Sequence, residues 1–237
     1  MGEMRTIGDL PAYRAVPEGD GAWPGMVLVH EAFGLDDVMR RAAERVAAMG
    51  YVVLAPDLLS RGRRAACLVR TFRALRQGQG QAFDDIDAAR SALLGDPSCS
   101  GAVGVIGFCL GGGFALVLAG RPGWDVSVVN YGTLPEDPST LDGACPVVAS
   151  YGGRDLYLAG SADKLARALR DRSVTHDVKE YPDAGHSFLN DEENIPWYAA
   201  PVSRSYLRAG PEPASAEDAW GRIEAFLDAH LPRRGQA

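Results

Sequence analysis

The chain carries 24 basic and 31 acidic side chains over 237 residues, a net charge of −7 that argues against a surface built to neutralise phosphates and so against nucleic-acid partners. Its composition, 46% hydrophobic and 23% charged, is that of an ordinary globular protein, and no run approaches the roughly 20 apolar residues of a membrane helix. Membrane-spanning classes are excluded, and at about 150 residues per domain the length fits one large α/β domain.

Short apolar runs alternate with helical periodicity, the pattern of a mostly parallel central sheet flanked by helices on both faces. Met26 to His30 (MVLVH) reads as a buried strand. Asp36 or Asp37 can cap the next helix, in which Val38, Ala42 and Val46 recur at helical spacing before Gly50 ends it. Tyr51 to Ala55 is the following strand. From Leu58 to Gln81 the chain is polar and rich in Arg, and reads as a long connection into a helix near Phe83 to Leu94. Ala102 to Phe108 is a third strand, Gly112 to Ala119 a helix, Val126 to Tyr131 a fourth strand and Pro146 to Tyr151 a fifth. Ser161 can cap a helix bearing Leu165 and Leu169, and Thr175 to Tyr181 alternates as a final strand. Ser215 with Asp218 resembles a capping box opening a last helix, whose Trp220, Ile223, Leu227 and Leu231 form an apolar stripe. Asn190 to Gly210 has no clear period, and loops of about this length are more often functional than filler. With no repeat and no linker, residues 1–237 are expected to form a single domain.

Cys67, Cys99, Cys109 and Cys145 include no CxxC pair and are expected as free thiols. The His30-Glu31 pair that could begin HExxH meets Gly34 where the second histidine should stand, so no metal site and no cofactor are expected. The segment MGEMRTIGDLPAY has no apolar signal region, which predicts a cytoplasmic protein; a monomer or weak homodimer is expected.

The segment Gly107-Phe108-Cys109-Leu110-Gly111 lies between an apolar strand and an apolar helix. It matches the nucleophile elbow G-x-S-x-G with cysteine in place of serine. Glycines two before and two after the nucleophile leave room for a strained strand-to-helix turn, and the helix N-terminus favours a thiolate and a developing oxyanion alike. A dinucleotide-binding loop would need GxGxxG, which is absent. An elbow requires an acid and then a histidine further along the chain. Asp155 in GGRD and His186 in AGHSF each follow a predicted strand, so the three can converge at the strand carboxyl ends. Asp183 is a rival acid, but it shares a loop with His186 and suits the YPDAG turn. The oxyanion donors would be the backbone N–H groups of Leu110 and Ala32. Glu31 is either a solvated loop residue or a carboxylate beside the thiol, where it would raise the proton affinity of one of the pair.

His30-Glu31-Ala32-Phe33-Gly34-Leu35, the GFCLGG elbow, GGRD and AGHSF together resemble the dienelactone hydrolase family of the α/β-hydrolase superfamily, over roughly Met4 to Leu231. The resemblance implies an α/β-hydrolase fold, a Cys109-His186-Asp155 triad, and a Glu31 that holds the resting thiol protonated until substrate displaces it. It further implies opening of the enol-lactone ring of dienelactones from aromatic degradation, through an acyl-enzyme whose leaving enolate can serve as base for the deacylating water. Activated esters suit such an enzyme better than amides. Two arginines grip the substrate carboxylate in that family. Here the matching positions hold Asn190 and, near the other, Cys67, with Arg64, Arg70 and Arg73 in the neighbourhood and Arg204 or Arg208 as substitutes. Phe33, Tyr131 and Ser187 would line the cleft. One competing reading keeps the triad and assigns another activated ester or thioester; another makes Cys109 the reversibly oxidised cysteine of a noncatalytic binding module.

Overall fold

The chain enters through an antiparallel hairpin, β1 (Glu3–Ile7) and β2 (Leu10–Ala15), in the computed structural model, which describes residues 2–232. β3 (Trp23–Val29) leads to helix α1 (Asp37–Ala48), capped by Asp36, whose side chain accepts from the Met39 amide at 3.0 Å. β4 (Val52–Pro56) is followed by α2 (Arg64–Gln77) and α3 (Gln81–Leu94), then by β5 (Cys99–Phe108), α4 (Leu110–Ala119), β6 (Ser127–Asn130) and β7 (Val147–Gly152). The remaining elements are α5 (Ser161–Asp171), β8 (His176–Tyr181), the short α6 (Ala200–Val202) running into a π turn over Ser203–Leu207, and α7 (Pro213–His230).

The eight strands form one sheet in the order β1-β2-β4-β3-β5-β6-β7-β8, antiparallel only where β2 meets β1 and β4. Met26 to Val29 and Val103 to Phe108 are buried without interruption, as expected of strands covered on both faces. Side-chain alternation on β5 shows the two faces directly. Phe108 lies 6.0 Å from the Trp220 ring of α7, whereas a Cβ on Gly107 would run into the backbone of α4. α7 and α1 meet through Arg45 over Trp220, and α2 packs against α3 and α4 on the other side. The chain reverses its direction of winding between β3 and β5, and in open α/β sheets the crevice outside the strand carboxyl ends at such a point is the usual ligand site. Among the described residues, no helix is long and apolar enough to cross a membrane.

Several details differ from the sequence-based expectation. The Arg-rich connection contains α2, whose buried positions Cys67, Thr71 and Ala74 have helical spacing but are too small or polar to register as an apolar stripe. Gly160, not Ser161, precedes α5. α7 starts at Pro213, a turn before the proposed capping box: the Glu212 carboxylate accepts from the Ser215 amide at 2.8 Å, leaving Ser215 inside the helix. All four cysteines are free, with Cys99 half-buried at the start of β5.

Candidate active site

β5 delivers Cys109 into a left-handed conformation (φ 54°, ψ −114°) at the N-terminus of α4, and non-glycine residues rarely adopt such a backbone. Its amide donates to the Asn130 carbonyl at 3.0 Å, and its carbonyl accepts from Gly113 at 3.2 Å. The glycines of the motif have a measurable reason. A Cβ on Gly107 would stand 2.0 Å from the Gly111 carbonyl oxygen, and one on Gly111 would stand 2.0 Å from that of Val29.

Beyond β8, His186 donates or accepts through Nδ1 at 2.6 Å from Oδ2 of Asp155, which follows β7 and is fully buried. The other oxygen of Asp155 accepts from the Tyr157 amide at 3.0 Å, so the carboxylate is aimed by its own turn. With Asp155 ionised, Nδ1 carries the proton and Nε2 faces outward as a base. That Nε2 is buried and has no hydrogen-bond partner among the described residues. Burial works to discharge the imidazole, but negative charge on Cys109 and the bond to Asp155 outweigh it and push His186 up to about 10, so the ring holds both protons opposite a thiolate and is free to act as a base at Nε2 only when that charge is gone. The Asn190 to Gly210 loop holds the histidine main chain: its amide donates to the Leu207 carbonyl and its carbonyl accepts from Gly210, both at 3.0 Å. Asp183 is exposed in its turn.

The loop after β3 turns at Gly34 (φ 89°). The Glu31 carbonyl accepts from the Gly34 amide at 3.0 Å and from His30 Nδ1 at 2.7 Å, while His30 Nε2 accepts from the Leu58 amide at 3.1 Å. Burial holds His30 below its ordinary range, and the neutral ring with its proton on Nδ1 satisfies both partners. In a trans peptide the N–H lies opposite the C=O, so anchoring the Glu31 carbonyl turns the Ala32 amide the other way. Neither that amide nor the Leu110 amide at the head of α4 is used in the hydrogen bonds of the loop or helix, and both residues line one cavity.

Glu31 is buried, which removes the solvated-loop reading. Its carboxylate accepts from Ser187 Oγ at 2.8 Å, from Asn190 Nδ2 at 3.3 Å and from Asn194 Nδ2 at 3.2 Å; no hydrogen bond joins it to Cys109 among the described residues. Burial raises its proton affinity, opposed by the His186 charge and by these donors. A folded-state pKa above the unfolded value of about 4.5 means that Glu31 contributes stability fully at lower pH and loses it as pH rises. The stability of Glu31→Gln relative to the natural protein should therefore shift in the variant's favour as pH rises above the unfolded value, read by urea unfolding at each pH. A pH-independent difference would refute the shift.

The cavity encloses about 330 Å³ and brings together Glu31, Ala32, Phe33, Cys109, Leu110, Tyr131, His186 and Ser187, with Asp155 behind the histidine. Tyr131 (φ 42°) and Ser187 (φ 56°) share the left-handed strain of Cys109, and the Tyr131 ring lies 5.0 Å from that of His186. Phe72, Tyr157, Ile195, Val202 and Tyr206 complete much of the wall. Nothing in their local sequence separated them from packing or loop residues. The only hint was the length of the Asn190 to Gly210 segment, from which three of them come.

The dienelactone hydrolase family model matches residues 10–231. The chain belongs to the dienelactone hydrolase family. It is 32% identical over 238 residues to a putative carboxymethylenebutenolidase of Methylorubrum extorquens, covering 93% of this chain and 77% of that one. It is 28% identical to a carboxymethylenebutenolidase of Rhodococcus opacus, covering 97% and 90% respectively. Among solved structures, a putative dienelactone hydrolase of Klebsiella pneumoniae superimposes with a TM-score of 0.79 at 25% identity, covering 97% of this chain and 99% of that one. The fold is that of the α/β-hydrolases, and the protein is a dienelactone hydrolase-like hydrolase.

Within this member of the dienelactone hydrolase family, none of the arginines weighed as a carboxylate clamp lines the cavity. Arg64 donates to the Phe33 carbonyl, Arg70 to the Arg61 carbonyl at 3.0 Å, and Arg204 pairs with Glu193 at 2.9 Å. Arg73 lines a separate surface cavity with Cys67. Asn190, at the position where the resemblance expects a cation, is spent on Glu31.

Proposed function

We propose that this dienelactone hydrolase-like enzyme opens enol-lactones and cleaves activated carboxylic esters by a Cys109-His186-Asp155 triad through a thioester acyl-enzyme. The observation that carries the reading is the His186 ring, bonded at Nδ1 to Asp155 and presenting an unpartnered Nε2 beside the cavity that Cys109 also lines. The names of the relatives, carboxymethylenebutenolidases, supply the lactone class.

Attack by Cys109 Sγ forms the S–C bond at the lactone carbonyl, and the charge that moves to oxygen is met by the Ala32 and Leu110 amides. Collapse breaks the ring C–O bond, and the enolate stays tethered to the new acyl-enzyme. Water then adds to the thioester, its proton taken by His186 Nε2 or by the enolate, and Sγ departs as thiolate, leaving the ring-opened acid. Glu31, whose burial favours the protonated form, accepts the thiol proton when substrate enters; it must turn from its serine and asparagine donors to do so.

Mass spectrometry of the protein quenched during turnover of p-nitrophenyl acetate tests the scheme. An acetyl adduct on Cys109 that is absent from Cys109→Ala, together with loss of turnover in that variant, is the expected result. Full turnover by Cys109→Ala would remove the nucleophile assignment.

A further inference from the structure

We infer that the site takes uncharged lactones or esters with an apolar body and discriminates against substrates that bear a free carboxylate; this rests on the hydrolase reading above and narrows its substrate class. Glu31, Cys109 and His186 are the ionisable groups of the cavity wall apart from tyrosines, and no Lys or Arg lines it among the described residues. The negative charge that Glu31 and Cys109 share, on the carboxylate before proton transfer and on the thiolate after it, would repel a second anion. His186, the one group there that can carry positive charge, is already bonded to Asp155 at 2.6 Å. The rest of the wall is mostly aromatic and aliphatic, from Phe33 and Phe72 to Ile195, Val202 and Leu207, and its other polar side chains, Thr133, Ser187 and Ser203 among them, are neutral hydroxyls. A carboxylate moved from water into such a wall loses its hydration and gains no counter-ion.

The surroundings point the same way. A groove of about 660 Å³ shares Phe72, Thr133 and Tyr157 with the cavity, and its cation, Arg76, is paired with Glu136 at 3.1 Å. Asp137 adds further negative charge to that groove. On the loop side, Val202 and Tyr206 of the wall are 64% and 47% exposed, and neighbouring Trp197 and Tyr198 are 86% and 69% exposed. Large apolar side chains left in water around a cavity mouth favour the apolar portion of an entering ligand.

The test compares 4-carboxymethylenebut-2-en-4-olide with its methyl ester, which shares the ring and lacks the charge. Ring opening is followed by loss of the conjugated-lactone absorbance, and binding of each compound to Cys109→Ala is measured by calorimetry. The methyl ester should exceed the acid by about tenfold or more in both kcat/KM and affinity. Val202→Arg, at an exposed wall position, should raise the acid-to-ester ratio by about tenfold by supplying the missing cation. An acid processed or bound as well as the ester, or no binding of either compound, overturns the inference. Tight binding of the ester to Cys109→Ala without turnover by the natural protein would instead overturn the catalytic reading and leave the binding preference standing.

Discussion

Substituting His186 by asparagine should lower kcat/KM for p-nitrophenyl acetate by about a thousand- to ten-thousandfold, with the folded structure retained by circular dichroism. The ring contributes two bonds in two directions. Nδ1 is held at 2.6 Å by a fully buried carboxylate, and Nε2, without a hydrogen-bond partner among the described residues, belongs to a ring that lines the same cavity as Cys109. Asp155→Asn tests the same geometry from behind. Oδ1 of Asp155 already accepts from the Tyr157 amide, so the asparagine carbonyl keeps that bond and its NH2 group falls against Nδ1. The ring would then accept at Nδ1 and carry its proton on Nε2, the wrong tautomer for a base, with a loss of about the same size. Asp183→Asn is the control, since Asp183 is exposed and was the other acid within reach in sequence; its activity should stay within about twofold of the natural protein, as for surface changes in general. A large loss at Asp183 with retained activity at Asp155 would reverse the assignment of the acid.

The parts of the site that were legible in the sequence are those where chemistry demands a residue type at a spacing. Gly107, Cys109 and Gly111 announce the elbow because no side chain fits at the flanking positions, and Asp155 and His186 follow from the topology that an elbow entails. Strand positions were legible because β3 and β5 are buried on both faces and so read as continuous apolar runs. What stayed hidden depends on contacts across the chain. Glu31 could not be separated from a solvated residue until Ser187, Asn190 and Asn194, more than 150 residues away, were seen to donate to it. His30 looked like half of a metal motif, but its role is to anchor the Glu31 carbonyl from a bond to Leu58. α2 escaped notice because its buried face is built from Cys67, Thr71 and Ala74, and the β1–β2 hairpin because β1 is largely exposed and β2 carries a proline.

Gly111→Ala should destabilise the protein by about 3 kcal/mol or more and abolish activity in whatever folds, although alanine is the better helix former. The new methyl would lie 2.0 Å from the Val29 carbonyl oxygen and 2.9 Å from that of His30. Both obstacles are backbone, so relief requires the end of β3 to part from the first turn of α4. Those are the two segments that lead into the Ala32 and Leu110 amides, and a separation large enough to admit a methyl would spread the two donors proposed to meet one oxygen. Gly221→Ala provides the opposite sign in the same experiment. Gly221 sits exposed in α7 with nothing near the position of an added Cβ, and the substitution should stabilise by about 0.5–1 kcal/mol through helix propensity alone. Urea denaturation of both variants decides the matter: equal stability would mean that the close approach of β3 to α4 is not what requires glycine at position 111. With Gly221→Ala more stable and Gly111→Ala disrupted, the elbow glycine is a condition for the close approach of β3 to α4, on which the placement of the two proposed donors depends.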